Sequence, residues 1–125
     1  MFFVSAAMAA EERLPNIVLI MVDDMGYSDI GCQGSVGYQT PNIDRMGKEG
    51  TRFTSFYVAQ AVCTASRAAL LSGSYPNRVS MQGALNHTSR EGIHPDELLI
   101  SEMCKAKGYA TGIYGKWHLG TVDAF

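Results

Sequence analysis

Three clusters in the 125-residue chain combine side chains able to do chemistry. Asp23-Asp24 ends an apolar run, Cys63-Thr64-Ala65-Ser66-Arg67 opens a helix-forming segment, and Tyr114-Gly115-Lys116-Trp117-His118-Leu119-Gly120 ends a third apolar stretch. Two adjacent carboxylates at the end of a buried strand suffer desolvation and mutual repulsion unless a cation or hydrogen-bond donors meet them. A hard divalent ion, calcium or magnesium, takes oxygen ligands and relieves that conflict where the strand's alternation has given way to a turn. The plainer alternative is a solvated Asp-Asp-x-Gly turn. In the second cluster Arg67 lies one helical turn beyond Cys63 on the same face and can hold negative charge beside it. The helix N-terminus adds N–H donors and partial positive charge, although a lone cysteine also fits as a small buried hydrophobe. In the third, an extended backbone projects Lys116 and His118 from one face, a cation and an acid/base, and Trp117 from the other. Surface decoration around a packed Trp117 is the alternative.

The elements that must position these clusters alternate in type. Asn16 to Val22 is a continuous Ile/Val/Leu/Met run, the pattern of a strand buried on both faces of a parallel sheet. Thr40-Pro41 supplies a cap and first-turn proline for a helix through Lys48, closed by Gly50, and Thr51 to Val58 is rich in β-branched and aromatic residues. Ala65 to Ser72 holds good helix formers and stops at Gly73, which places Cys63 and Thr64 at a helix N-terminus. Ser74 to Pro95 reads as a long turn-rich loop. Asp96-Glu97 then opens a helix closed by Lys105, Lys107 and Gly108, with Leu98, Leu99, Met103 and Ala106 as its buried stripe. Ala110 to Trp117 reads as another strand. This alternation predicts an α/β fold with a mainly parallel sheet and flanking helices, and such sheets bind ligands at the carboxyl ends of their strands, where all three clusters fall.

Composition narrows the function classes. Ten Lys+Arg against twelve Asp+Glu, a net charge of −2, give no sustained basic surface for nucleic acid. An anionic substrate must be met locally. The run Ile17 to Val22 is far short of the ~20 residues that span a bilayer, so no membrane span is expected. Phe2 to Ala10, apolar apart from Ser5 and containing Ala7-Met8-Ala9, reads as a secretory signal peptide without its basic start, and residues 1–13 as that leader and a spacer. A periplasmic or secreted location follows from that reading. Cys32, Cys63 and Cys104 are odd in number and lack C-x-x-C spacing, which indicates neither a disulfide framework nor a structural zinc site. Asn86-His87-Thr88 matches the N-glycosylation sequon, a tripeptide that also arises often by chance.

The four segments Pro15 to Gly26, Thr40-Pro41-Asn42-Ile43-Asp44, Cys63 to Arg67 and Gly115 to Gly120 occur in the order and spacing of type I sulfatases, and the region Leu14 to Thr121 resembles the N-terminal part of that arylsulfatase A-like family. The resemblance implies an alkaline-phosphatase-like fold in residues 14–125, a bound calcium ion, and oxidation of Cys63 to formylglycine. A hydrated aldehyde can attack sulfur through one hydroxyl and expel sulfate through the other, while the metal polarises a sulfate oxygen. Carried over by motif, Asp23 and Asp24 are calcium ligands, and modified Cys63 is both nucleophile and ligand. Arg67 steadies the formylglycine and the metal carboxylates, Lys116 binds a sulfate oxygen, and His118 acts as base when the hemiacetal collapses. The implied partners are a sulfated small molecule or carbohydrate and a formylglycine-generating or sulfatase-maturating enzyme. Ala65 stands where the family's commoner motif has proline. Family members run several times longer, so the chain reads as an N-terminal fragment, inactive or nearly so by itself and poorly stable. The alternatives are phosphonate or phosphate ester hydrolysis on the same scaffold, and a non-catalytic truncated remnant.

Overall fold

A computed structural model describes residues 14–120, so the leader reading at residues 1–13 lies outside the described residues. The elements are a 3-10 turn, Gly31–Gln33, followed by α1 (Pro41–Glu49), α2 (Cys63–Ser72) and α3 (Ile100–Ala106). Two of the expected helices form where their punctuation places them. Pro41 occupies the first turn of α1. Gly73 ends α2 in the left-handed conformation at φ 67°, its N–H returning to the carbonyl of Ala69, a conformation glycine adopts without steric cost.

α3 starts later than its charge pattern predicts. Asp96 and Glu97 stay in a turn, with their N–H groups donating to the ring nitrogen and carbonyl of His94 at 3.2 and 3.0 Å. The helix opens instead where the carboxylate of Glu102 accepts the N–H of Leu99 at 2.8 Å, half of a capping box. The expected stripe is also corrected: Leu99 packs against the core, whereas Leu98 and Met103 are exposed.

The sheet expectation is met only in part. No strand forms among the described residues; segments 16–22, 51–58 and 110–117 carry no regular secondary structure. The run expected to be buried on both faces is open to solvent, with Val18 82% and Ile20 71% exposed. A parallel strand is buried only when helices cover both its faces, and the three helices lie elsewhere. The order of a parallel pairing is nevertheless present. The Tyr109 hydroxyl donates to the carbonyl of Pro15 at 2.9 Å, and Lys116 Nζ reaches Asp23 Oδ2 at 3.0 Å. Tyr109 precedes Lys116 as Pro15 precedes Asp23, so the two segments run side by side in the same sense.

The core forms around α2. Ala68, Val79, Met81, Ile93 and Leu119 are buried together, with Leu71, Leu99 and Trp117 packed against them. Three of these come from the segment Ser74 to Pro95, so the long turn-rich loop expected there also supplies much of the core. It is held by backbone bonds: Ile93 N–H donates to Leu119 O at 2.9 Å, and Ala65 N–H to Gly83 O at 3.3 Å. Buried backbone groups need such partners, and here turns and crossings supply them in place of a ladder.

The Thr40 hydroxyl, expected to cap α1, serves a neighbouring turn. It accepts the N–H of Gly31 at 2.8 Å and donates to Asp44 Oδ1 at 3.0 Å, while Asp44 Oδ1 accepts Cys32 N–H at 2.6 Å. Asp44 on α1 thus closes the start of Gly31–Gln33 and ties the segment after Asp24 to a helix. A methyl group on Gly31 would overlap the Asp44 carboxylate. Gly31→Ala is therefore expected to lower stability by about 1–3 kcal/mol through overpacking, read as a lower urea midpoint at unchanged slope.

Candidate active site

The first cluster turns sharply after the Ile/Val run: Asp24 has φ 54°, a left-handed conformation uncommon outside glycine. Alternation ends there, as two carboxylates sharing one locale require. Asp23 Oδ2 accepts from Arg67 Nη2 and from Lys116 Nζ, both at 3.0 Å. Arg67 is buried, and its Nη1 donates to the carbonyl of Lys116 at 2.7 Å. One guanidinium thus holds the acidic end of the first segment and the backbone of the last, a two-pronged contact suited to its planar fork.

Position 63 opens α2 with its thiol half-buried and free. Lys116 is shared between it and Asp23: hydrogen bonding to Asp23 first, then to Cys63, raises the ammonium's pKa above the usual 10.5. The same contacts, Lys116 before Arg67, lower the Asp23 carboxyl below 3.8. The structure therefore brings Asp23, Cys63, Arg67 and Lys116 together from three sequence-distant segments.

A depressed carboxylate contributes stability above its unfolded pKa and loses it as pH falls through the lower folded value. The stability difference between the wild type and Asp23→Asn is thus expected to be largest near neutrality and to shrink below pH 3.8. Unfolding midpoints measured across that range check the sign. A gap that widened in acid would contradict the pairing.

His118 sits differently from its expected place beside Lys116. Gly115 at φ 95° and His118 at φ 58° both leave the extended region, so the alternation that would put both side chains on one face does not hold. The Nε2 of His118 lies 2.7 Å from the carbonyl of Leu85. Its carbonyl accepts the Thr64 hydroxyl at 2.9 Å, and that hydroxyl accepts Leu85 N–H at 3.1 Å. Neither Thr64 nor Leu85 stood out in the sequence as a site residue. Only the position of Thr64 inside Cys-Thr-Ala-Ser-Arg marks it.

The family-implied groups are tested by two observations. Arg67 Nε is buried and has no acceptor among the described residues. A buried charged donor without an acceptor is costly, and an oxygen on the side chain one helical turn away at position 63 fits that need better than a thiol, which accepts weakly. For the cation, both ion pairs fall on Oδ2 of Asp23, and two carboxylates are hard oxygen donors of the right kind. The described residues contain no group of three or more His, Cys, Asp or Glu able to hold a metal, and Ca²⁺ takes six to eight oxygens. The acidic pair fits a hard cation in kind but supplies only part of its shell.

The sequence model of the sulfatase family matches residues 15–124. The chain is 51% identical over 116 residues to human (Homo sapiens) arylsulfatase A, covering 92% of this chain and 23% of that protein. It is 43% identical over 114 residues to mouse (Mus musculus) steryl-sulfatase, covering 86% of this chain and 18% of that protein.

Among solved structures, a crystal structure of Ps i-CgsB superposes with a TM-score of 0.83 at 44% identity, covering 87% of this chain and 24% of that one. The chain spans about a quarter or less of the length of these relatives.

Proposed function

This chain belongs to the sulfatase family, and from that premise we propose that it supplies the nucleophile side of a centre that hydrolyses sulfuric monoesters. The observation that carries the reading is the meeting of Asp23, Cys63, Arg67 and Lys116 at one place, with Arg67 Nε left lacking an oxygen acceptor. Cys63 oxidised to formylglycine would supply, as its hydrate, the attacking oxygen. Asp23 and Asp24 would hold a calcium ion, which when bound polarises a sulfate oxygen.

The chain's own residues do the rest. Arg67 keeps the Asp23 carboxylate and the Lys116 backbone in register with position 63. Lys116 presents its ammonium between Asp23 and residue 63, where it meets a sulfate oxygen as negative charge develops. His118 would act as the base that accepts a proton from the hydroxyl of the modified residue 63. The alkaline-phosphatase-like sheet, a sulfated small molecule or carbohydrate as substrate, a maturation enzyme acting on Cys63, and a periplasmic or secreted location belong to the same proposal. No helix among the described residues is long and apolar enough to cross a membrane.

The test is sulfate release from an aryl sulfate by the sulfatase that carries this sequence, with and without a calcium chelator. Release that the chelator suppresses and calcium restores supports the reading. Release of phosphonate but not sulfate from matched esters overturns it.

A further inference from the structure

We propose that Thr64 is a positioning residue that fixes His118 in one tautomer, with the proton on Nε2 and the lone pair on Nδ1; the role of that lone pair as base rests on the function proposed above. A carbonyl oxygen only accepts, so the 2.7 Å contact between His118 Nε2 and Leu85 O requires the proton on Nε2. His118 Nδ1 is buried and has no partner among the described residues. A proton there would be a buried donor without an acceptor, which is costly. The ring is therefore neutral, with Nδ1 as its free acceptor.

Thr64 holds both ends of this arrangement. Its side chain is fully buried. The hydroxyl donates to the carbonyl of His118 at 2.9 Å and accepts the N–H of Leu85 at 3.1 Å. It thereby docks the strained His118 backbone, at φ 58°, and the residue whose carbonyl receives Nε2–H onto the helical position next to Cys63. A hydroxyl is required, since one atom must donate and accept at once.

The experiment is nitrogen NMR of the intact chain labelled with ¹⁵N at histidine. The chain has three histidines, and the His118 signals are identified by their loss in His118→Gln. The wild type is expected to show a protonated Nε2 and an unprotonated Nδ1. Thr64→Val should move both signals toward the averaged positions of a free imidazole, and Thr64→Ser, which keeps the hydroxyl, should restore the wild-type pattern. A protonated Nδ1 or averaged signals in the wild type, including those of an unfolded chain, would overturn the proposal, as would a valine variant indistinguishable from wild type. The readout needs neither formylglycine nor turnover, so failure of sulfate hydrolysis leaves it standing and its own failure leaves the hydrolase reading untouched.

Discussion

On the proposed reading, replacing Cys63 with alanine is expected to reduce sulfate release by the sulfatase that carries this sequence on the order of 10⁴-fold or more, the scale of removing an enzyme's nucleophile. An alanine methyl carries no sulfur to oxidise, so no attacking oxygen is installed. The fold should survive. Position 63 begins α2 with a half-buried side chain, and alanine is the best helix former, so the unfolding midpoint should hardly move. Loss of activity with loss of fold would instead assign Cys63 to packing.

Arg67→Lys is expected to fail on both counts, although it keeps the charge. The guanidinium spans Lys116 O at 2.7 Å and Asp23 Oδ2 at 3.0 Å through separate nitrogens, and a single ammonium cannot reproduce that fork. Leaving the Lys116 carbonyl without its donor costs about 1–3 kcal/mol. Misplacing Lys116 should lower kcat roughly 10²-fold. Urea unfolding and steady-state kinetics read the two effects separately, and a lysine variant with wild-type values for both would remove Arg67 from the account.

How far the sequence foretells this arrangement depends on the range of the interactions involved. α1 and α2 are legible because proline at one end and glycine at the other act locally. The pairing of Arg67 with Asp23 is half legible: helical spacing ties Arg67 to Cys63 and the family resemblance ties it to the metal carboxylates, but only the fold brings in the Lys116 carbonyl. The expected strands do not form among the described residues: an Ile/Val run reports a preference for burial, while a ladder also needs neighbours in register and covering layers. Segment 74–95 is the turn-rich loop that its glycines and prolines mark, but they do not show that Val79, Met81 and Ile93 join the core around α2. The orientation of His118 was hidden because its left-handed backbone breaks the two-residue period on which the prediction relied.

The central claim is that position 63 carries an oxygen nucleophile rather than a thiol. Trypsin cleaving after Arg52 and Arg67 releases the peptide Phe53 to Arg67, which contains Cys63 as its only cysteine. Mass spectrometry of that peptide, from protein produced together with a formylglycine-generating enzyme, should find the aldehyde in place of the thiol. An unmodified cysteine in protein that nonetheless releases sulfate would contradict the account.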